Sequence, residues 1–168
     1  MLRLSALYRF PVKSLGGELL QRAEVDDLGL AGDRRWMVVD SASGRFLTQR
    51  QLPGMARIGA RWRDGETLEL SAPERAPLLV TVPPADLALR GVTVWRDSLE
   101  APDAGDAAAT WLSACLARDC RLVHVPASRA RQVDTAYAQP GDKVGFADGF
   151  PLLLIGQGSL DDLSARVG

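Results

Sequence analysis

Ile58-Gly-Ala-Arg-Trp-Arg-Asp-Gly-Glu-Thr-Leu-Glu-Leu70 is the stretch on which the fold of this chain turns. Apolar and polar residues alternate on both sides of Asp64-Gly65, the pattern of two strands joined by a tight turn. A two-residue loop, Asp64-Gly65, would set Trp62 opposite Thr67 and Ala60 opposite Glu69, with the two apolar sets on opposite faces. A three-residue loop, Arg63-Asp64-Gly65, sets Ala60 opposite Leu68 and Ile58 opposite Leu70. Both apolar sets then share one face, and Gly65 takes the left-handed position that such a bulged loop needs. The second register is the expected one.

Outward from this hairpin the strand signals continue. Leu2, Leu4, Ala6, Tyr8 and Phe10 alternate with Arg3, Ser5 and Arg9 until Pro11, which cannot donate to a ladder. Glu18 to Val25 is a second run, ended by the turn-rich Asp26-Asp27-Leu28-Gly29. Trp36-Met-Val-Val-Asp40 reads as a strand buried on both faces, with Arg45-Phe-Leu-Thr48 returning beside it after the turn Ser41–Gly44. Leu78 to Val82 and Leu89 to Trp95 add two more, with a bend at Asp97-Ser98. Short strands at this spacing predict a barrel or sandwich of seven or eight strands.

The period then changes. Ala108, Trp111, Leu112, Cys115 and Leu116 recur at helical spacing, so a helix is expected over 106–118, with Asp103, Gly105 and Asp106 as capping candidates. A strand, Arg121 to Val125, follows. Residues 126–142 read as a polar surface loop, Phe146 to Ile155 as a further strand, and Ser159 as the cap of a closing helix. That helix carries Leu160, Leu163 and Val167 with no later element to cover them, which suggests an incomplete unit. The fold class expected is mainly β with one or two helices (α+β).

Composition narrows the function. Twenty Lys and Arg against 21 Asp and Glu give a net charge of -1, which argues against a nucleic-acid binder held by bulk electrostatics. No apolar run approaches the roughly 20 residues that span a bilayer, and Arg3 and Arg9 break any signal-peptide core. Neither nucleic acid nor membrane is an expected partner. Cys115 and Cys120 make no disulfide framework and match no zinc spacing, so a cytoplasmic protein with no metal ligands of its own is expected. The single histidine, His124, excludes a His-pair metal site and reads as a satisfied strand residue. No catalytic residue emerges.

What remains is a set of cations beside turns. Lys13-Ser14 follows a strand end and precedes Leu15-Gly16-Gly17, so a lysine, a hydroxyl and glycine-flanked amides could cradle an anion. Asp33-Arg34-Arg35 opens the buried strand, and alternation lets only one of the two arginines point into a barrel mouth. Thr48-Gln49-Arg50-Gln51 closes the returning strand with a further cation.

Taken in order, these pieces resemble a known family. Tyr8-Arg-Phe-Pro-Val-Lys-Ser-Leu-Gly-Gly17, Leu28-Gly-Leu-Ala-Gly-Asp-Arg-Arg-Trp-Met-Val38 and Phe46-Leu-Thr-Gln-Arg-Gln51 resemble the N-terminal β-barrel domain of MOSC proteins. These include the YcbX-like bacterial proteins and the mitochondrial amidoxime-reducing component. Arg121-Leu-Val-His124, Arg131-Gln-Val-Asp134, Phe146-Ala-Asp-Gly-Phe-Pro-Leu-Leu-Leu-Ile155 and Ser159-Leu-Asp-Asp-Leu163 extend the match over nearly the whole chain.

The resemblance implies residues 1–120 as the β-barrel domain and 121–168 as the incomplete beginning of a MOSC domain. It implies a molybdenum–molybdopterin cofactor, reduction of N-hydroxylated compounds, and an electron-donor protein, iron–sulfur or flavin. The family's phosphate-binding lysine, serine and arginine fall on Lys13, Ser14 and Arg34, with Arg50 placed to orient that fork or the anion. A further contact falls on Gly149 and Phe150, which offer only backbone amides where mitochondrial members carry hydroxyls. The family's molybdenum-ligating cysteine lies in the second half of its domain, and neither Cys115 nor Cys120 takes that position, so this chain alone is expected to reduce nothing. The alternative is a non-catalytic module that binds a phosphate-type anion or a partner in the same pocket.

Overall fold

The computed structural model describes residues 3–86 and 88–167. Leu2, first in the alternating run above, lies outside them. The chain opens with strands β1 (Leu7–Arg9), β2 (Val12–Lys13) and β3 (Glu18–Leu20). A small hairpin of β4 (Val25–Asp26) and β5 (Gly29–Leu30) leads into the central strand β6 (Trp36–Asp40). A 3-10 turn, Pro53–Arg57, precedes the meander β7 (Gly59–Arg63), β8 (Thr67–Ser71) and β9 (Leu78–Thr81). The hairpin β10 (Leu89–Val94) and β11 (Asp97–Pro102) is followed by helix α1 (Asp106–Leu116) and strand β12 (Cys120–His124). A pair of two-residue strands, β13 (Arg131–Gln132) and β14 (Lys143–Val144), and helix α2 (Gln157–Val167) complete the order.

β6 organises the molecule because all four of its apolar residues are buried. It pairs antiparallel with β12 and parallel with β2. Trp36 and Val38 face a core shared with Leu112 of α1, Leu122 of β12 and Leu68 and Leu70 of β8. Met37 and Val39 face the other way, onto Val92, Val94, Val123 and Phe146. Each such side chain contributes about 1.5–3 kcal/mol on full burial, so a strand buried on both faces anchors two packing layers at once.

The β-rich class is as expected, and the details differ. The ladders form six short sheets joined by single bridges such as Gly16 to Gly59 and Arg45 to Thr93. Among the described residues they do not close into a barrel. Fourteen strands replace the expected seven or eight, because two-residue ladders such as β4–β5 and β13–β14 are too short to leave a periodic signal. The β7–β8 register is Ala60 to Leu70 and Trp62 to Leu68, with Arg63 opposite Thr67. The apolar sets share a face as predicted, but the loop is Asp64-Gly65-Glu66, one residue further on. Asp64 and Gly65 both take positive φ (41° and 83°), and the Glu66 amide closes the turn on the Arg63 carbonyl at 3.2 Å.

α1 ends at Leu116 rather than 118 because Ala117 turns left-handed. Its N-cap is Gly105, and Asp103 instead accepts Arg90, Arg121 and the Gly105 amide. The expected boundary at 120/121 falls inside β12. The expected loop 126–142 carries β13, paired to β14 around Val133, Val144 and Ala147. Phe146 to Ile155 is not a strand. Phe146 donates its amide to the Arg34 carbonyl at 2.8 Å, Pro151 has no amide to give, and Leu152–Ile155 meets no neighbouring strand among the described residues. α2 starts at Gln157, two residues before the expected cap, and buries none of its side chains.

Candidate functional site

Lys13 stands at the end of β2, where the parallel pairing with β6 fixes its backbone and the core below excludes water. It is only 6% exposed. A buried ammonium must find acceptors, because an unpaired one costs several kcal/mol or more. Its Nζ donates to the Phe146 carbonyl at 2.9 Å and to the Asp148 carboxylate, both from the segment that follows β14. The rings of Phe46 and Trp95 lie 5.5 and 5.6 Å from the same nitrogen, close enough for their faces to attract it.

Ser14 follows in a left-handed conformation, φ 66°, and its carbonyl accepts the Gln49 amide group at 3.0 Å. That contact ties the Thr48–Gln51 turn to the end of β2. Arg50 comes with it, its guanidinium 6.0 Å from the Trp95 ring and without an ion pair or hydrogen bond among the described residues.

Arg34 also has positive φ, 43°. Its amide donates to the Phe10 carbonyl at 2.7 Å, and its own carbonyl accepts Phe146. The guanidinium pairs with Asp33 at 2.7 Å and donates to the Pro151 carbonyl at 3.0 Å. Gly145 permits this approach, since a Cβ there would lie 2.8 Å from the Arg34 carbonyl oxygen. Alternation forced a choice between the two arginines, and the structure makes it. Arg34 faces the cleft, while Arg35 is buried away from it against Asp26 at 2.5 and 2.8 Å.

These groups meet in an open cleft of about 510 Å³ whose lining contains Lys13, Ser14, Arg34, Arg50, Gly149 and Phe150 together. All six residues singled out in the sequence therefore share one depression, although 137 positions separate the first from the last. Phe46, Trp95 and Asp148 also line it, and sequence reasoning gave them no role. Trp95 sits at the tip of the β10–β11 hairpin with φ 54° and donates its indole N–H to Asp148 at 3.2 Å. No local pattern marks it, and Asp148 lies 135 residues from its lysine, beyond the reach of any spacing rule.

The cleft is a cation cluster with Asp148 as the carboxylate in its lining and Asp33 behind it paired to Arg34. Burial pushes Lys13 below its ordinary pKa, against the pull of Asp148, and the positive charges of Arg131 and Arg34 push the same way. Burial also pushes Asp148 up, but hydrogen bonds from Lys13 and Trp95 outweigh it and leave the carboxyl below its usual range. Both partners move down for different reasons, the lysine by burial and the carboxyl by its donors. Asp33 is raised by burial despite Arg34 beside it.

The donors that remain suit a compact anion. Lys13 keeps one N–H uncommitted, the Arg50 guanidinium and the Ser14 hydroxyl are free among the described residues, and so are the Gly149 and Phe150 amides. A phosphate takes such a mixture of ammonium, guanidinium, hydroxyl and amide donors, with charge-assisted bonds of about 1.5–3 kcal/mol each. The chemistry of the donor set therefore fits the phosphate end of a pterin cofactor. It does not supply a thiolate, since Cys115 and Cys120 lie in and beyond α1, outside the lining, with burial raising both thiols. Among the described residues, no group of three or more His, Cys, Asp or Glu could hold a metal ion, and no helix is long and apolar enough to cross a membrane.

Comparison with known proteins adds relatives to this geometry. The profile of the MOSC N-terminal beta barrel domain matches residues 1–119. Mouse mitochondrial amidoxime-reducing component 1 is 33% identical over 174 residues, covering 98% of this chain and 50% of that protein. Rice molybdenum cofactor sulfurase is 28% identical over 176 residues, covering 99% of this chain and 21% of that protein. The solution structure of a Bordetella bronchiseptica protein superposes with a TM-score of 0.51 at 22% identity, covering 67% of this chain and 95% of that one, a likeness of fold alone. The chain spans about half the length of the amidoxime-reducing relatives and less of the sulfurases.

Proposed function

This chain belongs to the family of the MOSC N-terminal beta barrel domain, and on that premise we propose that it holds the phosphate end of a molybdenum–pterin cofactor within an oxidoreductase acting on N-hydroxylated compounds. The observation that carries the reading is the convergence of Lys13, Ser14, Arg34, Arg50, Gly149 and Phe150 on one cleft, with the lysine buried at its wall. The relatives support it by name, one group as amidoxime-reducing components and the other as molybdenum cofactor sulfurases.

Each residue has a defined task. Lys13 supplies a fixed point charge, Arg34 a planar fork locked by Asp33, and Ser14 a hydroxyl donor. Arg50 stands at the cleft's edge over Trp95, placed to steer an incoming anion. The Gly149 and Phe150 amides close the ring of donors. When bound, the cofactor supplies the redox chemistry. The residues of this chain bind and orient its anionic end, and the low exposure of Lys13 keeps water from competing for that charge.

Two partners belong to the proposal. Leu152–Ile155 and the apolar face of α2 are exposed and suit the remainder of a MOSC domain, which would bring the thiolate this cleft lacks. An electron-donor protein, iron–sulfur or flavin, completes the reaction. The test is a titration of the 168-residue chain with inorganic phosphate, followed by amide chemical shifts. The amides of residues 13, 14, 34, 149 and 150 should move at millimolar phosphate, and Lys13→Met should lose those shifts while staying folded. Silence at these positions in the parent chain would end the reading.

A further inference from the structure

Asp148 holds the cleft's buried ammonium, yet is itself held loosely. Its side chain is 71% exposed, whereas that of Lys13 is 7% exposed. The segment around it, 145–150, is a run of bends with no ladder partner. Among the described residues its side-chain partners are Lys13 and the Trp95 indole, and both line the cleft. The carboxylate thus occupies the donors that an anionic ligand would use.

Exchange is constrained by burial. Lys13 cannot swing into solvent, because it is packed beneath Phe46 and Trp95 and tethered to the Phe146 carbonyl. A charge in that position is held by its acceptors, and losing its counter-ion without a replacement is costly. A ligand that displaces Asp148 must replace its negative charge on Lys13. It must also outweigh the repulsion of a carboxylate that its short backbone segment keeps nearby. A singly charged group merely swaps one anion for another and gains nothing. A doubly charged group satisfies Lys13 and has charge left for Arg34, whose field already reaches the ammonium. The freed indole N–H of Trp95 becomes one more donor to it.

We propose that Asp148 is the specificity-determining residue of the cleft, an internal counter-ion that only a dianionic phosphate monoester displaces, so that phosphodiesters and simple carboxylates are refused. The inference rests on the anion-binding reading above and adds the rule of selection. Asp148 touches the ligand's donors without touching a reacting atom, so its role is discrimination.

The 168-residue chain and Asp148→Asn are titrated at pH 8 with methyl phosphate, with dimethyl phosphate, and with acetate, following the amides of residues 13, 14 and 34 and the Trp95 indole N–H. The carboxamide of Asp148→Asn keeps an oxygen that can accept from the Lys13 ammonium, and its amide spectrum without ligand is compared with that of the parent to establish the fold before either titration. The parent should bind methyl phosphate and neither monoanion. Asp148→Asn should bind methyl phosphate about tenfold tighter and should bind the monoanions as well, the difference of one competing charge-assisted contact. Tighter binding with lost discrimination supports the assignment. Methyl phosphate binding to the parent that Asp148→Asn leaves equal or weaker, or with the monoanions still refused, overturns the role of Asp148 and spares the anion site. Failure of both proteins to respond to methyl phosphate overturns the site and the selection rule together.

Discussion

His124 packs against Trp36 with 4.6 Å between ring centroids and the rings tilted by 59°, and its Nδ1 has no hydrogen-bond partner among the described residues. The strand position expected for it is correct, but it is not a fully satisfied histidine. Burial lowers its pKa to about 4 from 6.5, and the nearby Arg35 pushes the same way. The unfolded chain therefore takes up this proton at higher pH than the folded one. The stability the neutral ring carries is complete above pH 6.5 and is lost as pH falls towards 4, about 3 kcal/mol in all. Urea midpoints measured from pH 7.5 to 4 should fall across that window, and His124→Phe should flatten the slope. An unchanged slope in the variant would assign the acid sensitivity to the carboxylates instead. Lys13 and Ser14 were legible at this scale because strand end, lysine, hydroxyl and glycines are contiguous. Alternation left the choice between Arg34 and Arg35 open and only the family resemblance pointed to Arg34, because the choice depends on a left-handed backbone angle beside contacts to Phe10 and Phe146.

Turns decide the elements more than the strands do. The Ser41–Gly44 turn returns the chain from β6 and presses it against β10. Gly44 has φ 67°, and a Cβ on it would lie 2.4 Å from the Gly91 carbonyl oxygen. Neither backbone can yield, since the Thr93 amide donates to the Gly44 carbonyl and the Phe46 amide to the Thr93 carbonyl, each at 3.0 Å. Gly44→Ala should cost about 2 kcal/mol or more in equilibrium urea unfolding. A loss within about 0.5 kcal/mol would mean the bridge to β10 contributes little. The β7–β8 hairpin teaches the same lesson from the other side. Alternation alone required an odd loop, and only the paired positive φ angles of Asp64 and Gly65 chose which one. β11 escaped notice because its alternation, Ser98-Leu-Glu-Ala101, spans only four residues and has no β-branched residue, and the strand pairs along its whole length with β10.

At the scale of the molecule, the C-terminal segment of the described residues leaves several apolar side chains uncovered. Leu153 and Leu154 are 77% and 87% exposed, and Leu160, Leu163 and Val167 stand exposed on α2. Contiguous patches of this kind mark surfaces that bind other proteins or drive association. Leu153→Ser with Leu154→Ser should reduce self-association of the chain in sedimentation velocity. The melting temperature should barely change, since neither side chain contributes to the core. Equal association in the double variant would exclude this run as the adhesive surface. The same region explains why Phe146–Ile155 looked like a strand. Its apolar run has the composition of a ladder, but no described strand pairs with it.

The sequence by itself determined the β-rich class, the doubly buried Trp36–Asp40, a helix starting at 106 (though not its end) and the family, because each rests on contiguous residues whose period or order can be read directly. Tertiary structure decided which arginine enters the cleft, the open rather than closed arrangement of the sheets, and the contact of Asp148 and Trp95 with Lys13. Charge and hydrogen bonding act through space at a few ångströms. Partners more than a hundred residues apart leave no trace in spacing until the chain has folded back upon itself.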